Sequence, residues 1–454
     1  MSTYRMTRFP PGSLRELVSI SFPLMLTAFS GNLMIFCDRA ILAKYSVDAM
    51  TAAFASSFVF AMFAFFGVGV ASIAEVFVGQ YNGKKEFDKL AVPVWQMIWF
   101  SLLFSLPMIP VAIFGANLFL PNSLIEEGRN YFQIVMIGAF FMPLISAVSS
   151  FFIGQGRTKM VTAAAIIGNV INLILDIVLI NGIDGLVAPL GAAGAAIATV
   201  ISMCLQFLIL FFLFWSKENN KKYKTRKYSI DVGVFKECMK IGLPVAFSLT
   251  LEIAGWSALN IALCNANKNF LTAQSIGSAF FILFAFFSDG LNKAVTAIAS
   301  NFIGAKHKAL IKKLLKSSLI LHLGMVSLLF ILLILVPEVT LNMFLDANAT
   351  KEEVKALTLI TMKGTFYFFL FDGLAWIIAA VLRAGGDTRF VMICNITFAW
   401  IAVLASYLVL SNNHSDVRFI FLYIIPSYAI MNLIVLFYRY LSNKWLELKV
   451  DDLT

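Results

Sequence analysis

Two acidic residues in apolar surroundings carry the first chemical signal of this sequence. Gly168 to Gly182 reads G-N-V-I-N-L-I-L-D-I-V-L-I-N-G, with Asn169, Asn172 and Asp176 where a lipid-facing helix would carry leucine. Asn172 and Asp176 stand four residues apart, so at about 100° per residue they share one helix face. An ionisable group at membrane depth costs on the order of several kcal/mol and marks an ion or substrate path. Asp38 occupies the end of an earlier apolar run, N-L-M-I-F-C-D-R-A-I-L, and Thr199 a later one, G-A-A-G-A-A-I-A-T-V. Two carboxylates, an amide and a hydroxyl are hard oxygen donors that suit Na⁺ and suit a proton equally. Asp38, Asn172, Asp176 and Thr199 therefore form the expected cation-coupling site, with Na⁺ as the metal it could hold. Arg39 follows Asp38 directly, but adjacent residues on a helix point about 100° apart and make poor partners.

The second half of the chain has acids of its own. Glu252 lies in V-A-F-S-L-T-L-E-I-A-G-W and Asp372 in F-F-L-F-D-G-L-A-W, each midway along an apolar run. A cation or substrate role is expected for both. Asp289 and Lys293 form an i, i+4 pair and are expected to neutralise each other. Glu75 is expected to reach water or a basic loop residue, and His322 to be a packing histidine. Asn169 and Asn181 read as packing and helix-end residues. Pro23 and Pro244 each interrupt the backbone hydrogen-bond ladder of a membrane helix and are the candidate hinges.

The elements that must position these groups follow from composition. The 454 residues are 60% hydrophobic and 13% charged, more apolar surface than a soluble fold of this length could hide. The chain is expected to be an all-α polytopic membrane protein. Twelve apolar runs are long enough to cross a bilayer, near 17–42, 52–80, 90–118, 131–154, 160–181, 188–215, 234–263, 272–302, 314–336, 357–382, 390–410 and 418–441. The formal charge of +10 arises largely from lysines and arginines in alternate gaps, such as Lys84, Lys85 and Lys89, or Lys306, Lys308, Lys312 and Lys313. By the positive-inside rule these gaps and both termini face the cytoplasm, and the charge calls for no nucleic-acid partner. The opposite gaps carry Glu126, Glu127, Glu338, Asp346, Glu352, Glu353 and Asp416. Met1 to Arg15 leads into an apolar run too long for a signal-peptide core, so the first helix is expected to stay. The five cysteines have neither metal-ligand spacing nor the density of a disulfide framework. No nucleotide-binding P-loop is present, which argues against direct ATP drive.

A polar, basic stretch at 216–231 leaves six runs on either side, dividing the chain into lobes at 1–215 and 232–454 joined by a cytoplasmic linker. The halves look duplicated. Pro23 and Pro244 are offset by 221 residues, Phe77-Val78-Gly79 and Phe302-Ile303-Gly304 by 225, and Gly156-Arg157-Thr158 and Gly386-Asp387-Thr388 by 230. Because six is even, both copies enter the membrane from the same side, giving two pseudo-symmetric six-helix bundles about an axis along the membrane normal. The acids do not repeat: at these offsets Asp38 maps to Leu259 and Asp176 to Ser406.

Taken together, the Pro23 helix ending in Asp38, V-G-Q-Y-N-G-K from Val78 to Lys84, G-Q-G-R-T-K from Gly154 to Lys159, Asn172 with Asp176, and L-R-A-G-G-D-T from Leu382 to Thr388 resemble the multidrug and toxic compound extrusion (MATE) family. The resemblance implies an antiporter of the cell membrane that expels organic, often cationic and amphipathic compounds in return for Na⁺ or H⁺, by alternating access. It implies no enzyme activity and no cofactor beyond the coupling ion. Small molecules and membrane lipid are the expected partners and a monomer the expected unit. Asp38, Asn172, Asp176 and Thr199 match the family's first-lobe cation site, while Glu252 and Asp372 match acids of its NorM-like, Na⁺-coupled members. The sequence departs from the family at Arg39, where threonine is common. Two rival readings are a flippase for a lipid-linked precursor, built on the same scaffold, and an intramembrane aspartyl protease, which lacks a G-x-G-D stretch here.

Overall fold

The computed structural model of the protein describes residues 6–341, 352–412 and 417–446. Arg5, Asp346 and Asp416 lie outside the described residues. Twelve helices in the described residues are long and apolar enough to cross a membrane. In chain order, spans 1 to 6 are Leu14–Tyr45, Val47–Lys84, Phe87–Phe119, Asn122–Ile153, Thr158–Asn181 and Gly191–Phe214. Spans 7 to 12 are Val232–Ala266, Asn269–Gly304, Ala309–Leu335, Glu352–Ala384, Thr388–Ser411 and Ile420–Leu441. They coincide with the twelve apolar runs, because in hydrocarbon only a helix satisfies every backbone group of a lone segment. Spans 1 and 7 run unbroken through Pro23 and Pro244.

Cap chemistry sets the ends of these helices and repeats between the halves. Ser46 is the single extended residue between spans 1 and 2, and its hydroxyl accepts the Ala49 N–H at 3.2 Å. Asn267, 221 residues on, has the same extended backbone between spans 7 and 8, and its side chain accepts the Asn269 N–H at 2.9 Å. Gly156 and Gly386, 230 residues apart, both take positive φ before spans 5 and 11, a conformation that costs a glycine little. Side chains repeat too. Asn169 Nδ2 donates to Ser30 Oγ at 2.9 Å, tying span 5 to span 1, and Asn395 Nδ2 donates to Ser248 Oγ at 3.2 Å, tying span 11 to span 7. Asn169 is thus a packing residue, as its position suggested.

The halves meet through crossed contacts, span 1 on span 8 and span 7 on span 2. These contacts are tightest on the side of the basic loops. There a Cβ on Gly69 would sit 2.7 Å from Ala246 Cα, and one on Gly79 would sit 2.7 Å from Ser300 Cβ. Gly83 and Gly304 abut the backbone oxygens of Asn301 and Gln80. Small residues let the backbones approach this closely. Amides then cross the seam: Asn301 Nδ2 donates to Gly154 O and Gln80 Nε2 to Ala384 O, each at 2.8 Å.

Toward the acidic loops the halves part. Span 1 is buried at Leu17, Ile20, Leu24 and Met25, yet none of its residues from Leu26 to Ala40 is. The result is a cleft open on the acidic side and closed on the basic side. Two aromatic pairs bridge the halves near its floor, Phe29 with Phe286 at 5.5 Å and Phe66 with Phe247 at 5.4 Å between ring centroids.

On the basic side, Arg439 Nε donates to Asp387 Oδ2 at 2.7 Å, and Asp387 is buried at the start of span 11. Hydrogen bonds to charged groups contribute about 1.5–3 kcal/mol, and removing one partner strands the other. Arg439→Gln is therefore expected to destabilise the detergent-purified protein by about 2 kcal/mol, visible as a lower Tm. The double variant with Asp387→Asn should recover most of the loss.

Candidate functional site

Three of the expected first-lobe residues converge in the structure, and the fourth joins them in an unexpected way. Asp38 reaches in from span 1, Asn172 and Asp176 from adjacent turns of span 5. Asn172 and Asp176 are fully buried. Hydrogen bonding orients the Asn172 amide with Nδ2 toward the acids, donating to Asp38 Oδ1 at 2.9 Å and to Asp176 Oδ2 at 3.2 Å. The two carboxyl groups also lie within hydrogen-bond reach of each other. Asp176 Oδ1 has no donor, so it keeps a free lone pair that a proton or a cation could take.

Thr199 contributes its backbone. Its N–H donates to Asn172 Oδ1 at 3.3 Å, while its hydroxyl donates to Ala195 O at 2.9 Å. The hydroxyl proton is thus committed to its own helix, and span 6 reaches the site chiefly by orienting the amide. Arg39 stays within electrostatic reach of Asp38. Its guanidinium lies 4.7 Å from the Phe54 ring centroid, a cation–π contact with span 2. Asn181 caps the end of its own helix, donating to Ile177 O at 3.2 Å.

A second acidic site lies in the other half. The Tyr428 hydroxyl donates to Glu252 Oε1 at 2.8 Å, and the Trp256 indole reaches the same carboxylate. Asp372, buried with Oδ1 unpartnered, lies within electrostatic reach of Glu252. Trp256, Phe368 and Tyr428 pack against one another with centroids 5.5–6.0 Å apart, making an aromatic wall beside the acids. Leu259 and Ser406, the positions corresponding to Asp38 and Asp176, are instead buried in the packing of this half. The duplicated scaffold therefore holds its acids at different places in the two copies.

The sequence model of the MatE family matches residues 23–178 and 244–408, one segment in each half. The chain belongs to the MatE family. Members of this family are multidrug efflux transporters rather than enzymes, which sets aside the protease reading. Among curated relatives, the "Probable multidrug resistance protein YoeA" of Bacillus subtilis (strain 168) is 27% identical over 366 residues, covering 78% of this chain and 77% of the relative. The "Probable multidrug resistance protein NorM" of Bradyrhizobium diazoefficiens is 26% identical over 388 residues, covering 82% and 81%. Among solved structures, a MATE transporter in the straight conformation aligns with a TM-score of 0.84 at 16% identity over 98% of this chain and 99% of that one. An outward-facing multidrug resistance MATE family transporter of the MOP superfamily aligns at 0.83 and 17%, with the same coverage. These two share the fold.

The MatE fold brings to the first site one residue that sequence reasoning missed. Tyr131 of span 4, buried, shares a 2.9 Å hydrogen bond with Ser57 of span 2 and stands within electrostatic reach of Asp38 and Asp176. Nothing in the E-G-R-N-Y-F-Q sequence distinguishes this tyrosine from an interfacial one. The structure also revises Glu75. Rather than reaching water or a basic loop, it is buried at the seam between the halves, within electrostatic reach of Lys293 of span 8 and Arg383 of span 10. The turn at Ser72–Ile73 within span 2 redirects the segment that follows against span 8. Asp289 and Lys293 pair at 2.8 Å as expected, and His322 is buried with Nε2 at 3.0 Å from Leu370 O.

Proposed function

We propose that this MatE transporter is a secondary antiporter that exports organic, often cationic and amphipathic compounds in exchange for Na⁺ or H⁺, by alternating access of one central cleft. The observation that carries the reading is the buried meeting of Asp38, Asn172 and Asp176 inside the first bundle. Two carboxyl groups at this separation repel when both are charged, so the site favours taking up one cation. The basic loops, by the positive-inside rule, put the termini in the cytoplasm and the open mouth of the cleft outside. A coupling ion then enters from outside.

Asn172 gives the site two ways to hold that ion. With Nδ2 toward the acids it supports a carboxyl pair that shares a proton. Turned over, it would present Oδ1 to the same point, an arrangement that repels the carboxylates unless Na⁺ lies between them. Glu252 and Asp372 supply a second cation-attracting region beside an aromatic wall, suited to the charged end of a planar organic cation. In the cycle we infer, ion binding from outside favours release of the exported compound, the halves close outward and part inward, and compound bound from the cytoplasm releases the ion.

A membrane potential of 100 mV supplies about 2.3 kcal/mol per charge. At about 1.4 kcal/mol per tenfold, each net positive charge carried inward per cycle sustains a roughly fifty-fold gradient, as when one ion exchanges for a neutral compound or two ions for a monovalent cation. The test is reconstitution in vesicles with an ethidium-like dye and separately imposed Na⁺ and pH gradients. Dye movement driven by either is expected and names the ion. No movement with either, from folded protein, would sink the reading and turn attention to a lipid-linked precursor.

A further inference from the structure

One charged cluster lies where the two halves touch. Glu75 comes from span 2, in the first half. It is 5% exposed, and no donor reaches its Oε1. Across the seam, in the second half, stand Lys293 of span 8 and Arg383 of span 10, both within electrostatic reach of Glu75. Arg383 is held by Asn292, Nη2 to Oδ1 at 2.5 Å, and its buried Nε has no acceptor. Asn292 in turn donates to Trp376 O at 2.9 Å, so the guanidinium sits on a fixed support between spans 8 and 10. Asp289 pairs with Lys293 at 2.8 Å, these two side chains being 40% and 45% exposed, and Glu252 of span 7 also lies within electrostatic reach of Arg383.

We propose that Glu75, Lys293 and Arg383 form a charge latch that holds the basic side of the cleft shut, making Glu75 a positioning residue for the transport cycle. The proposal rests on the alternating-access reading above. The carboxylate and the two cations belong to different halves, so they face each other only while the basic side is closed. When the halves part there, Glu75 loses both cations at once, whereas Lys293 and Arg383 keep Asp289 and Glu252 within their own half. An unpaired charge in a low-dielectric setting is costly, so this cluster favours the closed arrangement selectively instead of stabilising both states alike. The small-residue contacts of Gly79, Gly83 and Gly304 lie on the same seam, and they fit the halves together closely enough for the charges to meet. The latch also gives Arg383, in the L-R-A-G-G-D-T segment, a role at the seam beside its electrostatic link to Glu252.

The test compares hydrogen–deuterium exchange of the full-length wild type and Glu75→Gln in lipid nanodiscs, without substrate or ion gradient. In the variant, exchange at seam residues 79–84 and 297–304 is expected to rise at least about fivefold, equivalent to about 1 kcal/mol. Exchange at the acidic-side ends, 47–52 and 261–267, should fall as the cleft closes there. Arg383→Gln carries the same test from the opposite half, and the exchanged pair Glu75→Arg with Arg383→Glu should return the wild-type pattern. Unchanged exchange in monodisperse variants, or a rise on both sides with no rescue by the swap, overturns the latch and leaves an ordinary buried network. The readout does not depend on dye. A wild type that moves dye, with variants that do not shift, overturns the latch alone; variants that shift, with a wild type that moves no dye, support the latch and overturn the antiport reading.

Discussion

Replacing Asp38 with Asn is expected to reduce gradient-driven export to background, at least a tenfold loss on the scale of about 1.4 kcal/mol or more, while the protein still inserts and stays folded. The substitution is nearly isosteric and keeps polar atoms within reach of Asn172 and Asp176. What it removes is the second charge. The site as built sets Asp38 Oδ1 and Asp176 Oδ2 on either side of one amide nitrogen, at 2.9 and 3.2 Å. With an uncharged side chain on one flank, the site loses the paired charge that draws in a cation, and the ion's gradient is no longer coupled to export. The measurement is dye flux in vesicles under the gradient that drives the wild type, alongside Tm. Replacing a buried acid by its amide relieves repulsion, so Tm should hold or rise. Asn181→Ala, at a helix end outside the cluster, is the matched control and should export normally. Wild-type flux from Asp38→Asn would end the assignment of the first-lobe site.

Gly304→Val is expected to have an effect of similar size through geometry alone. Gly304 ends span 8 directly against the Gln80 carbonyl oxygen, and Gly83 faces Asn301 O in the same way from the other half. A side chain at position 304 meets backbone, which no rotamer change can clear. Overpacking of this kind costs about 1–3 kcal/mol, and it falls only on the arrangement in which the basic side is shut. A 3 kcal/mol penalty shifts the balance between the two arrangements by more than a hundredfold. Export should fall at least about tenfold, with faster hydrogen exchange at 79–84. Gly31→Ala is the contrast, since a Cβ there meets nothing within 4 Å, and it should be silent. Unaltered flux and exchange in Gly304→Val would mean that this contact does not limit the closed arrangement.

Much of this architecture is legible in the sequence because hydrocarbon leaves a segment so few choices. Twelve apolar runs became twelve helices at nearly the expected limits, since an unpaired backbone group costs several kcal/mol in lipid and only a helix pairs them all locally. The duplication is legible from local residue types: Pro23 and Pro244 lie at matching places inside spans 1 and 7, and Gly156 and Gly386 take the positive φ of matching turns. The i, i+4 relation of Asn172 and Asp176 follows from helix geometry alone.

What lies between helices had to come from the tertiary structure. That Asp38 meets Asp176 depends on span 1 packing against span 5, and no spacing in the chain encodes that crossing. Thr199 was chosen for its hydroxyl, but the packing of span 6 uses its N–H, because the hydroxyl finds a carbonyl in its own helix first. Tyr131 is one tyrosine among twelve in the sequence until spans 2 and 4 bring it to the acids. Glu75 reads as a residue near water by its position in the chain, yet the turn at Ser72–Ile73 carries it under the second half. Sequence alone determined which residues enter the membrane and as what. Only the tertiary structure decided which charges share a low-dielectric space, because that depends on distances between segments far apart in the chain.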